Sequence, residues 1–127
     1  MKAMFSTILG ATWLLAAAPA APHHSFAAEF DLNRPIAVTG TVTQVQWTNP
    51  HAWIHLDVEQ DGRVENWAIE MLGINTLIRR GWTRETLKAG DVITVEGFGS
   101  RDGGPTGNAS IVKRASNDEM LWESRSQ

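Results

Sequence analysis

The segment from Ile36 to Trp47 (IAVTGTVTQVQW) constrains the fold more than any other part of the chain. It is rich in Val and Thr and alternates apolar with polar residues, which predicts one long strand. Its apolar phase runs through Val38 and Val42, then through Val45 and Trp47, so the phase changes between 42 and 45. A slip of one residue is what a β-bulge produces, and Gly40 nearby permits a sharp bend. A long strand that changes face partway along suits a small, strongly curved sheet.

The remaining elements follow from the same alternation. Thr48-Asn49-Pro50 reads as a turn, Ala52 to Val58 (AWIHLDV) as a second strand, and Glu59-Gln60-Asp61-Gly62 as a hairpin turn. Glu65 to Met71 is a third strand. The period then changes. Ile74 to Arg80 reads as a short helix with Asn75 as its N-cap and Gly81 as its stop, and Thr83 caps a second short turn that ends at Lys88. Val92 to Phe98 is the fourth strand, Arg101 to Gly107 a loop, and Asn108 to Arg114 the fifth strand. Five strands with a helical segment between the third and fourth is the order of an OB-like β-barrel, whose long first strand joins both halves of the sheet. A β-sandwich with a helical insertion is the rival. Ile54, Leu56, Val58, Ile69, Ile93 and Val95 are the expected core. Residues 36–115 form the barrel domain, 21–35 an extended lead-in, and 116–127 a polar tail from which Trp122 can lie on the barrel.

The first 20 residues have the layout of a secretory signal peptide. Met1-Lys2 is a positive start, Phe5 to Ala18 an apolar core, and Ala18-Pro19-Ala20 a small-x-small cleavage site. The apolar run is too short to span a bilayer and no second one follows. Cleavage between Ala20 and Ala21 takes 20 of the 127 residues and leaves 107, enough for one domain. The expected location is periplasmic or secreted. There is no Cys, so export is not used to add disulfides and packing must supply stability. Lys2 is the leader's only basic residue, so the mature part has 10 basic and 14 acidic side chains, a net charge of about −4. With no basic stripe to neutralise phosphates, nucleic acid is not an expected partner.

Chemistry is most concentrated on the second strand. Alternation puts Ile54, Leu56 and Val58 on one face and His51, Trp53, His55 and Asp57 on the other. Glu70, on the neighbouring strand and on the face of Ala68, can pair with His55 across the strands. The ordinary account is a solvated outer face. The functional account is a buried imidazole–carboxylate pair that orients the imidazole for a ligand. His51, Trp53, His55 and Glu70 are therefore the candidate ligand-binding residues.

His51, His55, His23 and His24 are also the candidate metal ligands, with copper or zinc as the ion, because imidazole suits both. On a straight strand the Cα atoms of His51 and His55 lie about 13 Å apart, too far for both to ligate one ion. One of them is expected to ligate with Glu70 or with the His23-His24 tail. In a chain cleaved after Ala20, His23 is the third residue. The amino-terminal copper chelate that needs a deprotonated amide there is blocked by Pro22, which has no N–H. Met71 reads as core, and with Met120 it is one of two Met after the leader, too few for a soft copper(I) site. No nucleophilic constellation is visible: Cys is absent, G-x-S-x-G is absent, and the Gly-rich stretch at 103–107 lacks the Lys-Ser/Thr of a phosphate loop. No catalytic residue is assigned.

The run HHSFAAEFD, followed by TGTVTQVQWTNPHAWIHLDV, WAIEM and LKAGDVITVEGFGSRDG, resembles a secreted bacterial family known as a domain of unknown function. The resemblance covers about residues 23–114, and its most specific parts are HHSF and NPHAW. It implies an exported small β domain with no assigned activity. The LKAGD-strand-Gly phrase is also similar to OB-type periplasmic proteins, among them small copper chaperones and haem chaperones, but the paired sulfur ligands of the copper proteins are missing here. Two functions stand against each other: a binding module for a small ligand or metal ion, and an accessory subunit that docks a periplasmic protein through the His/Trp face.

Overall fold

The computed structural model describes residues 25–124. The leader, its cleavage site and His23-His24 lie outside the described residues. The elements in order are α1 (Phe26–Glu29), β1 (Phe30–Gln46), β2 (Trp53–Gln60), β3 (Arg63–Glu70), α2 (Ile74–Arg79), β4 (Val92–Ser100), β5 (Thr106–Arg114) and β6 (Met120–Glu123). The chain is mainly β. Pairing runs β3-β2-β1-β4-β5-β6, and a parallel contact between β3 and β5 closes the first five strands into a barrel-like ring.

β1 pairs antiparallel with both β2 and β4. Its register against β2 shifts between Val42 and Gln44, where the apolar phase of the sequence changes. The β2–β3 hairpin turns at Asp61 (φ 53°) and Gly62 (φ 72°), two left-handed residues that match the twist of the flanking strands.

Two expectations about the ends need correction. The lead-in is not wholly extended: Phe26–Glu29 forms a single helical turn, and β1 begins at Phe30. The tail adds a sixth strand, with Trp122 in register with Val112. Trp122 is buried because it packs edge-on against Trp82 at 6.5 Å, while the Trp82 indole donates to the Leu121 carbonyl at 2.7 Å. The sequence offered no period here, because a four-residue edge strand is too short to show one.

The helical segment between β3 and β4 is shorter than 74–88. α2 ends at Arg79, and residues 83–87 form a turn in which the Thr83 hydroxyl accepts from the Glu85 N–H at 3.1 Å. Asn75 does not cap α2. Gly73 holds the N-cap position, and the Asn49 side-chain oxygen, from the β1–β2 loop, accepts the Ile74 N–H at 3.1 Å. Only a Gly fits at 73, because a Cβ there would lie 2.6 Å from the Pro50 carbonyl oxygen. Leu77, Trp82 and Leu87 from this segment are buried in the core.

The core is the one expected. Ile54, Leu56, Val58, Ile69, Ile93 and Val95 are all buried, joined by Val42, Val112, Trp67 and Trp122. Among the described residues no helix is long and apolar enough to cross a membrane.

Leu56 has no exposed surface. Leu56→Ala should cost about 2–5 kcal/mol in urea denaturation, from lost transfer energy plus the cavity left behind. A loss near zero would mean that the ring is packed on the other face of β2.

Candidate functional site

The β1–β2 loop is held at both ends before it delivers His51. The Thr48 hydroxyl donates to the His51 carbonyl at 3.1 Å, and Asn49 is tied to the start of α2. Beyond His51, Ala52 exchanges backbone bonds with Met71 (2.8 Å) and Leu72 (3.1 Å), which extends the β2–β3 ladder past the end of β3. His51 is thereby set against the last residue of β3, Glu70. His51 Nδ1 and a Glu70 carboxylate oxygen form an ion pair or hydrogen bond, according to the imidazole's charge. The two partners differ sharply in exposure: the His51 side chain is 44% exposed and the Glu70 side chain 4%.

Expected pairing between Glu70 and His55 is therefore corrected. Glu70 is in register with Trp53, and His55 with Ala68, two positions further along the hairpin. The loop returns His51 to the end of β3, and this closer imidazole takes the carboxylate. His55 is half-buried, and its Nε2 is buried without a hydrogen-bond partner among the described residues. Asp57 is exposed and accepts from the Asn66 side chain at 2.9 Å. Of the residues singled out from sequence, His51 and Glu70 come together, Trp53 lies beside them across the hairpin, and His55 lies apart.

The second oxygen of Glu70, Oε2, is buried and has no partner among the described residues. Burial pushes the Glu70 carboxyl above the ordinary glutamate range, the His51 imidazole pulls it back, and the Glu29 charge raises it again. The pair borders a cavity of about 200 Å³ walled by Phe26, Phe30, Leu72 and Asn108, with Glu29 and Met71. Asn108 reaches this point because the parallel β3–β5 contact puts it in register with Glu70. Trp53 opens on a neighbouring cavity of about 480 Å³, which also takes Ser100, Arg101, Asp102 and Thr106. Glu29 and Phe30 line both cavities, so the α1–β1 junction forms the ridge between them.

That ridge is clasped from two directions. Arg34 donates to the carbonyls of Ser100 and Gly103 at 2.9 Å each, in the β4–β5 connection. In return Arg101 donates through Nε to the Ala27 carbonyl at 2.7 Å, and its backbone N–H donates to the Glu29 carbonyl at 2.9 Å. Asp102 stiffens the same connection by accepting from the Ser100 hydroxyl (2.6 Å) and the Gly104 N–H (2.8 Å), and these bonds hold its carboxyl below the usual range. Phe26 stacks at 5.3 Å on buried Phe30 and meets Phe98 edge-on at 6.2 Å. Sequence reasoning missed this half of the site. The spacing of Phe26 and Phe30, one helical turn apart, was the available signal. The arginine clasp had none, because its acceptors are backbone carbonyls.

Chemically, the arrangement fixes one imidazole. A buried carboxylate holds Nδ1, and Nε2 has no partner among the described residues. Such a pair selects one tautomer and aims the second nitrogen. No group of three His, Cys, Asp or Glu among the described residues stands close enough to hold a metal ion by itself.

The raised Glu70 carboxyl sets a direction for stability. The folded state holds this proton more tightly than the unfolded chain does. The associated stability is therefore present below the ordinary glutamate value and is lost as pH rises through the raised one. Urea midpoints measured from about pH 4 to about pH 8 should fall for the parent across that window. Glu70→Gln, which cannot titrate, should show a flatter profile. An equal slope in both proteins would assign the dependence to other groups.

No curated protein matches the sequence. The sequence profile of one family matches residues 12–109, which takes in β1 to β4, the first residues of β5, the His51–Glu70 pair and every residue of the cavity wall. The chain belongs to that family, a family of unknown function designated DUF6152.

Proposed function

We propose that this chain is a small exported binding module whose ligand is received by the His51 imidazole at the mouth of the cavity beside Glu70. One observation carries the reading: a carboxylate almost wholly buried, with one oxygen on His51 and the other without a partner among the described residues, at the edge of an open cavity. Burying a carboxylate is costly unless it is paired, and its half-satisfied state leaves a polar group ready to orient an imidazole or a bound species. The position of the site supports the same reading. It lies between the β1–β2 loop and the β4–β5 connection, the two loops that flank the ligand face in small barrels of OB-like order, an argument by analogy of fold. Export rests on the leader sequence. Trp53 belongs to this reading as a wall of the neighbouring cavity, and His55 as a residue behind it.

A second reading, docking of a periplasmic protein, draws on the rim. Phe26 and Leu72 are exposed apolar side chains on the edge of the His51 cavity. An apolar rim around a polar centre is also the make-up of an interaction hot spot.

The two separate in a melting-temperature screen of the untagged exported chain against metal ions, small carboxylates and organic cations. At least one class should raise the melting temperature of the parent and of Arg63→Ala, a surface control, and fail to raise that of His51→Ala. A ligand that stabilises His51→Ala as much as the parent would put the site elsewhere. A panel without effect, together with saturable binding of a protein partner that Phe26→Ser abolishes, would establish the docking reading instead.

A further inference from the structure

The second cavity, beside Trp53, has a lining of its own that the His51 reading does not use. We propose that this cavity binds a free α-amino acid with a large apolar side chain. Arg101 takes the carboxylate, Asp102 the ammonium, and the Trp53 indole the side chain. The site stands apart from His51, because the ridge at Glu29 and Phe30 separates the two cavities.

The cavity measures about 480 Å³, within the ~300–1,000 Å³ of ordinary small-ligand sites. Its lining carries one guanidinium, Arg101, and two carboxylates, Glu29 and Asp102. A simple anion would meet more negative than positive charge there. A simple cation would leave the guanidinium unanswered. A zwitterion matches both signs. Arg101 is placed by its Nε, which donates to the Ala27 carbonyl at 2.7 Å, and its two terminal nitrogens make no hydrogen bond among the described residues. Those nitrogens form the edge that takes a carboxylate through two parallel bonds. Asp102 is placed as firmly. The Ser100 hydroxyl and the Gly104 N–H both donate to its Oδ1, at 2.6 and 2.8 Å, so Oδ2 is the oxygen open to a ligand donor. The same two bonds hold this carboxyl below the usual range and keep it ionised wherever an ammonium is charged near neutral pH.

Sheet register sets the length of the ligand. Trp53 on β2 is in register with Glu70 on β3, and Glu70 with Asn108 on β5. Neighbouring strands lie about 4.8 Å apart, so the Trp53 backbone and the β5 backbone are separated by about 10 Å across β3. Thr106, at the start of β5, lines the cavity on the side of Arg101 and Asp102, and Trp53 is the only lining residue on β2. The charged groups thus stand at one end and the indole at the other. Between them, the β3 residue in register with Thr106 is Ala68, whose methyl leaves the floor low. An α-amino acid with a large apolar side chain has this layout, with both charges on one carbon and the apolar group a few bonds away. Trp53 is half-buried, so its ring is supported by the sheet and keeps one side for stacking. Buried Phe30 completes an apolar wall.

The test titrates L-phenylalanine into the untagged exported chain by calorimetry, beside 3-phenylpropionate, which lacks the ammonium, and 2-phenylethylamine, which lacks the carboxylate. The parent should bind one L-phenylalanine per chain, and each truncated probe at least about tenfold more weakly. Asp102→Asn, which keeps Oδ1 for Ser100 and Gly104, should weaken L-phenylalanine about tenfold or more and leave 3-phenylpropionate no weaker. Arg101→Gln should weaken L-phenylalanine by a similar factor and leave 2-phenylethylamine no weaker. A general loss of structure would move all three probes together, so this crossed pattern identifies the two charge contacts. Trp53→Leu should weaken L-phenylalanine more than it weakens glycine. Arg63→Ala, a surface control, should match the parent. No binding of L-phenylalanine, or equal binding of either truncated probe by the parent, overturns the proposal. Binding that His51→Ala abolishes while Arg101→Gln and Asp102→Asn retain it puts the amino acid in the other cavity and overturns the proposal as well.

Discussion

Five strands close into a ring only if one of them serves both halves of the sheet, and β1 does so. Its C-terminal part pairs with β2 while its middle pairs with β4, and the register shift between Val42 and Gln44 lets the strand turn between them. Strain-free turning at that point requires the inward side chains to change parity, which is why Val42 is buried while Val45 packs against the core from a partly buried position. With β1 turned, β2 and β4 bring β3 and β5 to opposite sides of one seam, and the parallel contact of Ala68 to Glu70 with Thr106 to Asn108 closes it.

The candidate site lies on that seam. Glu70 is the last residue of β3 and is paired through its backbone to β2 on one side and β5 on the other. Backbone satisfied on both sides leaves its side chain little freedom, and the Phe26–Phe30 turn covers it from outside. A carboxylate in such a place would ordinarily be neutralised or replaced by an apolar group. Here it keeps its place because the β1–β2 loop brings an imidazole to it, and the consequence is a histidine with one defined orientation at the edge of a cavity. Burial and the nearby Glu29 on the α1 turn both hold the Glu70 carboxyl above its ordinary range, while the His51 imidazole pulls it back.

Most of the fold could be read from local pattern. Alternation in Ala52 to Val58 separated Ile54, Leu56 and Val58 from His51, Trp53 and His55, and the buried set is the expected one. Asp61-Gly62 marked its hairpin for the same reason that Gly81 marked the end of α2: both positions need left-handed backbone. The misses are short or non-local. β6 is an edge strand of four residues whose burial depends on Trp82, and the first N–H of α2, that of Ile74, is met by the Asn49 side chain 25 residues earlier rather than by a neighbour in sequence.

For the site, the sequence by itself determined which side chains share a face of β2 and that Glu70 would sit on the adjoining strand, because a period of two is a property of the backbone alone. It also determined the His23-His24 pair and its Pro22 neighbour. Tertiary structure decided which histidine meets the carboxylate. His51 rather than His55 pairs with Glu70 because the β1–β2 loop, pinned through Thr48 and Asn49, carries His51 back over the end of β3. It also decided that the lead-in becomes a wall of the site, held there by Arg34 and Arg101 bonds to backbone carbonyls. Every residue offers such carbonyls, so these contacts leave no mark in the sequence until the fold has brought the segments together.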